Sequence, residues 1–207
     1  LTDKTLAEGA YSFDIGAVPP LPDREPKLWD GAGEYRRYAR TEDGVSSLAF
    51  PGRKGAAVKV NSYAHDEAGI TTEASKDVRA LQEKMLRKGE SLSAELAAYP
   101  AVQVYGPHDA EKTVVCWGSE KWACIEAAER FGARVVQPLV LAPFPVRQWE
   151  EAMTGTGRVA CVEDNATGQF ARLLRQQGFD PGQPVLKYDG RPFEVDELEA
   201  RLGEVFV

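Results

Sequence analysis

His65, Asp66 and Glu67 stand in a row, with Asn61 and Ser62 before them and Gly69 after. A histidine beside carboxylates can transfer protons near neutral pH or help to hold a metal. Adjacent residues rarely converge on one metal, and His108 is the only other histidine. The bland reading of the same residues is a solvated loop. On the functional reading these positions are exposed, so His65→Ala or Asp66→Ala should change stability by no more than about 0.5 kcal/mol; on the structural reading turnover is unchanged and stability is lost if they cap or brace the arm.

A second polar group follows the apolar run Val159–Val162: Glu163, Asp164, Asn165 and Thr167. Polar residues just past the carboxyl end of a parallel strand are where open α/β sheets place ligands. A helix N-terminus asks for the same residues, with Asn165 as cap and the acids at the positive end of the dipole. No histidine or nucleophile stands beside Glu163, so it is not read as a general base. Trp117-Gly118-Ser119 is another strand-to-helix turn. A glycine there could admit a phosphate, but neither G-x-G-x-x-G nor G-x-x-x-x-G-K-[ST] occurs. It reads as a tight turn with Ser119 as N-cap. Neither a catalytic residue nor a metal ligand is assigned anywhere in the chain.

The elements that position these groups follow from periodicity. Residues 1–60 are broken by Pro19, Pro20, Pro22, Pro26 and Pro51, with Trp29, Tyr35, Tyr38 and Phe50 among charges. They read as an extended arm held down by its aromatics. Ser75–Leu96 reads as a helix, with Ser75 as cap and Val78, Leu81, Met85, Leu86, Leu92 and Leu96 on one face. Gly89 weakens its middle by about 1 kcal/mol relative to alanine, enough for a break. From 101 onward strands and helices alternate. Strands are expected at Thr113–Trp117, Arg158–Glu163 and Val185–Tyr188. Arg134–Leu141 is also extended, and Pro138 places it at an edge or a bulge. Helices are expected at Glu120–Phe131, Pro145–Met153, Thr167–Gln177 and Val195–Val205. This predicts an α/β fold: residues 101–207 form a three-layer domain around a mostly parallel sheet, and residues 1–100 form an arm, a loop and a linker helix. Thr113–Trp117 and Arg158–Glu163 should be interior strands.

Composition narrows the function classes. A net charge of −7 over 207 residues argues against nucleic acid as partner. No apolar run approaches the ~20 residues that span a bilayer, and no secretory leader opens the chain. Cys116, Cys124 and Cys161 form no C-x-x-C pair, so they read as buried, reduced thiols of a cytoplasmic protein. Neither a zinc nor an iron–sulfur site is supported.

Several blocks also carry a family resemblance. They are Y-R-R-Y-A-R-T-E-D-G-V-S at Tyr35–Ser46, F-P-G at Phe50–Gly52 and H-D-E-A-G-I-T-T-E at His65–Glu73. W-G-S at Trp117–Ser119, P-F-P at Pro143–Pro145, E-D-N-A-T-G-Q-F-A-R-L-L-R at Glu163–Arg175 and L-K-Y-D-G-R-P-F at Leu186–Phe193 follow. In this order they resemble the C-terminal part of the alpha subunit of 2-oxoacid:ferredoxin oxidoreductases, most closely the 2-oxoglutarate type.

The resemblance implies a transketolase C-terminal-like domain in a complex that decarboxylates a 2-oxoacid oxidatively to acyl-CoA and passes electrons to ferredoxin. It implies a beta subunit as partner, ferredoxin and coenzyme A engaged through the complex, and a homo- or hetero-oligomer. The segment's own role would be scaffolding and subunit contacts. No cofactor is expected in it: G-D-G followed by N-N is absent, so thiamine diphosphate, magnesium and the iron–sulfur cluster would belong to the complete complex. The opening at Leu1 without methionine fits the tail of a longer subunit. The resemblance places His65, Asp66 and Glu67 near the substrate, leaving Glu163, Asn165 and Thr167 as strand-end candidates. Some positions depart from the family pattern. No P-R follows the first block, Ala64 precedes His-Asp-Glu, and Glu194 stands where a capping threonine is usual. These departures bear on substrate range. A stand-alone, non-catalytic interaction module on the same fold is the alternative, and a nucleotide-binding α/β domain is a third.

Overall fold

The computed structural model describes residues 10, 12, 14–17 and 26–207, so Pro19, Pro20 and Pro22 lie outside the described residues. The chain divides into two compact units, one within residues 13–95 and one containing Leu96–Val207.

The larger unit is a five-stranded sheet: β1 (Val102–Tyr105), β2 (Lys112–Val115), β3 (Arg134–Pro138), β4 (Arg158–Glu163) and β5 (Gln183–Leu186). The spatial order is β1-β3-β2-β4-β5. The pairs β3–β2, β2–β4 and β4–β5 are parallel, and β1 runs antiparallel along β3. Between the strands lie α2 (Lys121–Glu129), α3 (Val146–Ala152) and α4 (Gln169–Gln176), and α5 (Val195–Phe206) ends the chain. Alternation along each strand sorts the core into two layers. Val114, Val135, Ala160 and Val162 pack under Cys124 and Ala127 of α2 and Leu198, Leu202 and Phe206 of α5. Val115, Val136 and Cys161 pack under Trp149 of α3 and Phe170 and Leu174 of α4. The domain is therefore a three-layer, mostly parallel α/β fold, with β2 and β4 interior as expected.

Boundaries differ where local chemistry decides. β3 is interior, not at an edge or bulge, because Pro138 is its last residue, opposite Val102. There a missing N–H interrupts nothing further along the ladder. Pro184 sits inside β5, which is the true edge and tolerates it. β1 was not anticipated: four residues with a central Gln103 give too little alternation to read. Helix α2 begins at Lys121 after a 3-10 turn over Gly118–Glu120, so Ser119 lies within that turn and Glu120 takes the N-cap position. Helix α4 begins at Gln169, because Gly168 takes φ 62° in the left-handed region. Glu194 does stand at the N-cap of α5 and makes no side-chain cap bond.

In the smaller unit, α1 (Ser75–Leu96) runs through Gly89 without a break. Its first carbonyl acceptor is Ala74, which takes the Val78 N–H at 3.0 Å, so Ser75 is inside the helix and not its cap. The face turned to the rest of the unit is polar. Asp77 accepts from Arg40 at 2.9 Å, Lys84 is buried, and the Ser91 hydroxyl donates to the Asp43 carbonyl at 2.8 Å. Gly44, at φ 73°, lies so close that a Cβ would come within 2.7 Å of the Lys84 carbonyl. Met85, Leu86 and Leu92, read as part of a packed face, are exposed. The arm's aromatics are tied down within the unit. Tyr35 Oη accepts the Ala49 N–H at 3.0 Å, Trp29 packs against Tyr35 at 5.4 Å, and the Trp29 indole donates to the Ala32 carbonyl. Phe50 stays exposed.

Candidate functional site

The turn after β4 is built around a buried carboxylate. Glu163 is fully buried. It accepts the Phe170 N–H at 2.7 Å, the Ala171 N–H at 2.9 Å, the Asn165 amide at 2.7 Å and the Cys161 thiol at 3.6 Å. Asn165 in turn accepts the N–H groups of Thr167 at 3.1 Å and Gln169 at 3.2 Å. Together the two side chains satisfy the donors that the start of α4 leaves without intrahelical partners. A negative charge at this helix end is favoured by the dipole. Thr167 and Asp164 are exposed, and the Thr167 carbonyl accepts from Arg172 at 3.0 Å. The structure thus brings Glu163 and Asn165 together as a cap, with Thr167 on the turn they hold. Beside them, burial first and then the Glu163 charge push the Cys161 thiol up, which makes it a poor nucleophile.

This turn occupies the carboxyl edge of the sheet. The W-G-S block follows β2, P-F-P follows β3, the Glu163 turn ends β4, and Lys187–Phe193 follows β5. Chain order makes this a switch point: β2 connects outward to β3, whereas β4 connects the other way to β5. A cleft of about 190 Å³ there is lined by Ser119, Glu120, Trp122, Asp164, Pro192 and Phe193. The sequence reading missed three residues that brace this edge. Gln137, buried in β3, donates to the Gly118 carbonyl at 3.0 Å and accepts from the Tyr105 hydroxyl at 3.3 Å. Lys187 is buried, ion-paired with Glu197, and lies 5.6 Å from the Phe193 ring. Arg201 flanks the same ring at 5.7 Å. Only Lys187 carried a signal, through its place in L-K-Y-D-G-R-P-F.

The His65 loop is a short hairpin within the smaller unit. His65 bridges Thr71, and the Thr72 N–H donates to the Ala64 carbonyl at 3.0 Å. Contrary to the exposed reading, His65 is buried, with its ring stacked on Tyr38 at 3.7 Å. Asp66 Oδ1 accepts the N–H groups of Ala68 and Ile70, both at 2.9 Å, and so ties its own turn. Glu67 accepts the Arg40 N–H at 3.1 Å and lies 3.6 Å from the Arg40 Nε. The three side chains therefore point to three different partners. Tyr38 and Lys84, missed from sequence, complete the cluster. Lys84 donates to the Tyr38 carbonyl at 3.3 Å and to the Ser46 hydroxyl. Burial, then the neighbouring Arg37 and Lys88, push its ammonium pKa down. A cavity of about 10 Å³ among Tyr38, His65, Glu67, Asp77 and Lys84 is the size of one water. Among the described residues no group of three His, Cys, Asp or Glu could hold a metal ion. No helix among them is long and apolar enough to cross a membrane.

Fold and site define a doubly wound α/β domain with its sequence blocks gathered at the carboxyl edge, joined to a helix-and-hairpin unit. No model of a known protein family matches the chain. Relatives do. The chain is 33% identical, over 99% of its length, to 2-oxoacid:ferredoxin oxidoreductase 2 subunit alpha of Aeropyrum pernix, covering 33% of that protein. It is 31% identical over 83% of its length to the 2-oxoacid:ferredoxin oxidoreductase subunit alpha of Saccharolobus solfataricus, covering 28% of it. Among solved structures, 2-oxoglutarate:ferredoxin oxidoreductase from Magnetococcus marinus, with 2-oxoglutarate, coenzyme A and succinyl-CoA bound, is similar over 87% of this chain and 32% of that one. The TM-score is 0.72 at 27% identity. The chain is thus a homologue of 2-oxoacid:ferredoxin oxidoreductase alpha subunits, and it spans about a third of their length.

Proposed function

We propose that this chain works as the C-terminal part of the alpha subunit of a 2-oxoacid:ferredoxin oxidoreductase, on a transketolase C-terminal-like domain. The complex would convert a 2-oxoacid and coenzyme A to acyl-CoA and carbon dioxide, with electrons passing to ferredoxin in the cytoplasm. The observation that carries this reading is homology to such alpha subunits along 99% of the chain. The bound ligands of the Magnetococcus structure support 2-oxoglutarate as substrate. Thiamine diphosphate, magnesium and the iron–sulfur cluster are assigned to the beta subunit and to the rest of the complex.

The described residues support a scaffolding role. Glu163 and Asn165 spend their hydrogen-bonding capacity on α4, holding Thr167 and the carboxyl-edge turn. His65, Asp66 and Glu67 hold a hairpin in shape, which would form one wall beside the substrate. The test is the complex and the chain in parallel, each assayed for coenzyme A-dependent reduction of a viologen dye with 2-oxoglutarate. The complex should turn over and the isolated chain should not. Turnover by the isolated chain, or none by the complex with any 2-oxoacid, would overturn the reading.

A further inference from the structure

The cleft at the carboxyl edge of the sheet combines aromatic walls with negative charge. It measures about 190 Å³ and is lined by Trp122, Pro192 and Phe193, together with Glu120 and Asp164, and by neither Lys, Arg nor His. Trp122 is 57% exposed although its helix, α2, packs on the sheet through Cys124 and Ala127. An indole face attracts cations through its quadrupole, more strongly than the other aromatic rings do. The structure displays that attraction: the Lys121 ammonium lies 4.1 Å from the centre of the Trp122 ring. Two carboxylates in the lining disfavour an anion. A bare metal ion is no better suited, since no group of three His, Cys, Asp or Glu among the described residues could hold one.

Each segment that supplies a wall is held in place independently. The turn before Glu120 and Trp122 is fixed where the Gly118 carbonyl accepts from Gln137 at 3.0 Å. Asp164 directly follows Glu163, whose carboxylate is bonded to the start of α4. Ahead of Pro192, Asp189 Oδ1 accepts the Arg191 N–H at 3.0 Å. Lys187 and Arg201 flank the Phe193 ring, and both are engaged elsewhere, Lys187 with Glu197 and Arg201 with the Leu186 carbonyl at 2.7 Å. A cleft formed in advance loses little conformational freedom when filled. Apolar walls with a few placed polar groups are the usual make-up of a small-molecule site. We propose that this cleft binds a small organic cation, an alkylated ammonium or guanidinium. Its apolar body lies against Trp122, Pro192 and Phe193, and its charge faces Glu120 and Asp164. This site does not depend on the function proposed above.

The experiment uses the complete protein that carries this chain, with choline and agmatine as probes and 3,3-dimethylbutanol as the uncharged isostere of choline. Calorimetry should show saturable binding of at least one cation at or below about 1 mM. The alcohol should bind about tenfold more weakly or not at all. Trp122→Leu should weaken cation binding about tenfold. Glu120→Gln combined with Asp164→Asn should weaken it severalfold and reduce its sensitivity to salt. Thermal melts of these variants should match the wild type. Absence of saturable binding by both cations would overturn the proposal, whatever fills the cleft in the complete protein. Equal binding of choline and the alcohol would overturn the assignment of charge to the ligand. Cation binding unchanged in both folded variants would overturn the site itself.

Discussion

The Glu163 carboxylate caps a helix to which it does not belong: from the end of β4 it accepts the Phe170 N–H at 2.7 Å and the Ala171 N–H at 2.9 Å. A strand and the following helix are thereby joined through one side chain as well as through the turn. Glu163→Gln should cost about 2 kcal/mol and Glu163→Ala about 3 kcal/mol, since buried N–H donors would lose a charged acceptor. Urea melts measure both. A loss below about 0.5 kcal/mol for alanine would mean that the cap is dispensable.

Arg134 holds the opposite edge of the sheet. Its buried guanidinium donates to Thr113 Oγ1 at 3.0 Å, the Thr154 carbonyl at 2.8 Å, Thr156 Oγ1 at 2.6 Å and the His108 carbonyl. Arg134→Met should cost about 3 kcal/mol, because the buried Thr113 hydroxyl and three part-buried acceptors lose their donor. Arg134→Lys should recover part of this, as a point charge cannot reach all four. Equal stability of the two variants would argue against the multiple hydrogen bonds.

All three thiols should be silent in the native state. Cys116, Cys124 and Cys161 are buried. The Cys124 pKa is pushed up by its hydrogen bond with Cys116 and then by burial. Labelling with an aromatic disulfide should be slow until denaturant is added, then quick for all three. Fast native labelling of Cys116 or Cys161 would contradict interior strands.

Acid should reveal Asp43. Its carboxyl is held down to about 2 by the Val45 N–H, then by Lys27 and Thr41. A carboxylate with a lowered folded pKa stabilises above its unfolded value, about 3.9, and that contribution fades as pH falls toward the folded value. Asp43→Asn should flatten the stability curve of the chain between about pH 4 and pH 2. An unchanged acid limb would show that another group governs it.

His65→Ala should now cost about 1 kcal/mol, more than an exposed residue would, because it removes a buried ring stacked on Tyr38. Asp66→Ala should cost about 1 kcal/mol through two lost turn bonds. In the complete complex both should also lower 2-oxoacid turnover. Normal turnover with the expected stability loss would confine the loop to a structural role.

Periodicity read the long elements well. Ser75–Leu96 matches α1 end to end, and the valine runs gave β2 and β4 their interior places. It could not read what depends on distant partners. Glu163 looks like a loop acid until Phe170 and Ala171 fold back over it. His65 looks exposed until Tyr38, 27 positions earlier by residue number, covers it. The polar inner face of α1 was hidden for a related reason. Apolar spacing marked Met85, Leu86 and Leu92, whereas Asp77, Lys84 and Ser91 make the contacts because the segment around Asp43 and Gly44 supplies polar partners. The capping alternative for the Glu163 turn was legible, since acid, amide and glycine before a helix have a well-understood local chemistry.

Burial of every cysteine has a practical consequence. A single thiol introduced on the surface would be the molecule's sole readily reactive one. Gly89 of α1 offers such a place, since an added Cβ there meets nothing within 4 Å. Tyr188, 70% exposed beyond β5, offers a second. Spin labels at these two positions would form a spectroscopic ruler free of background.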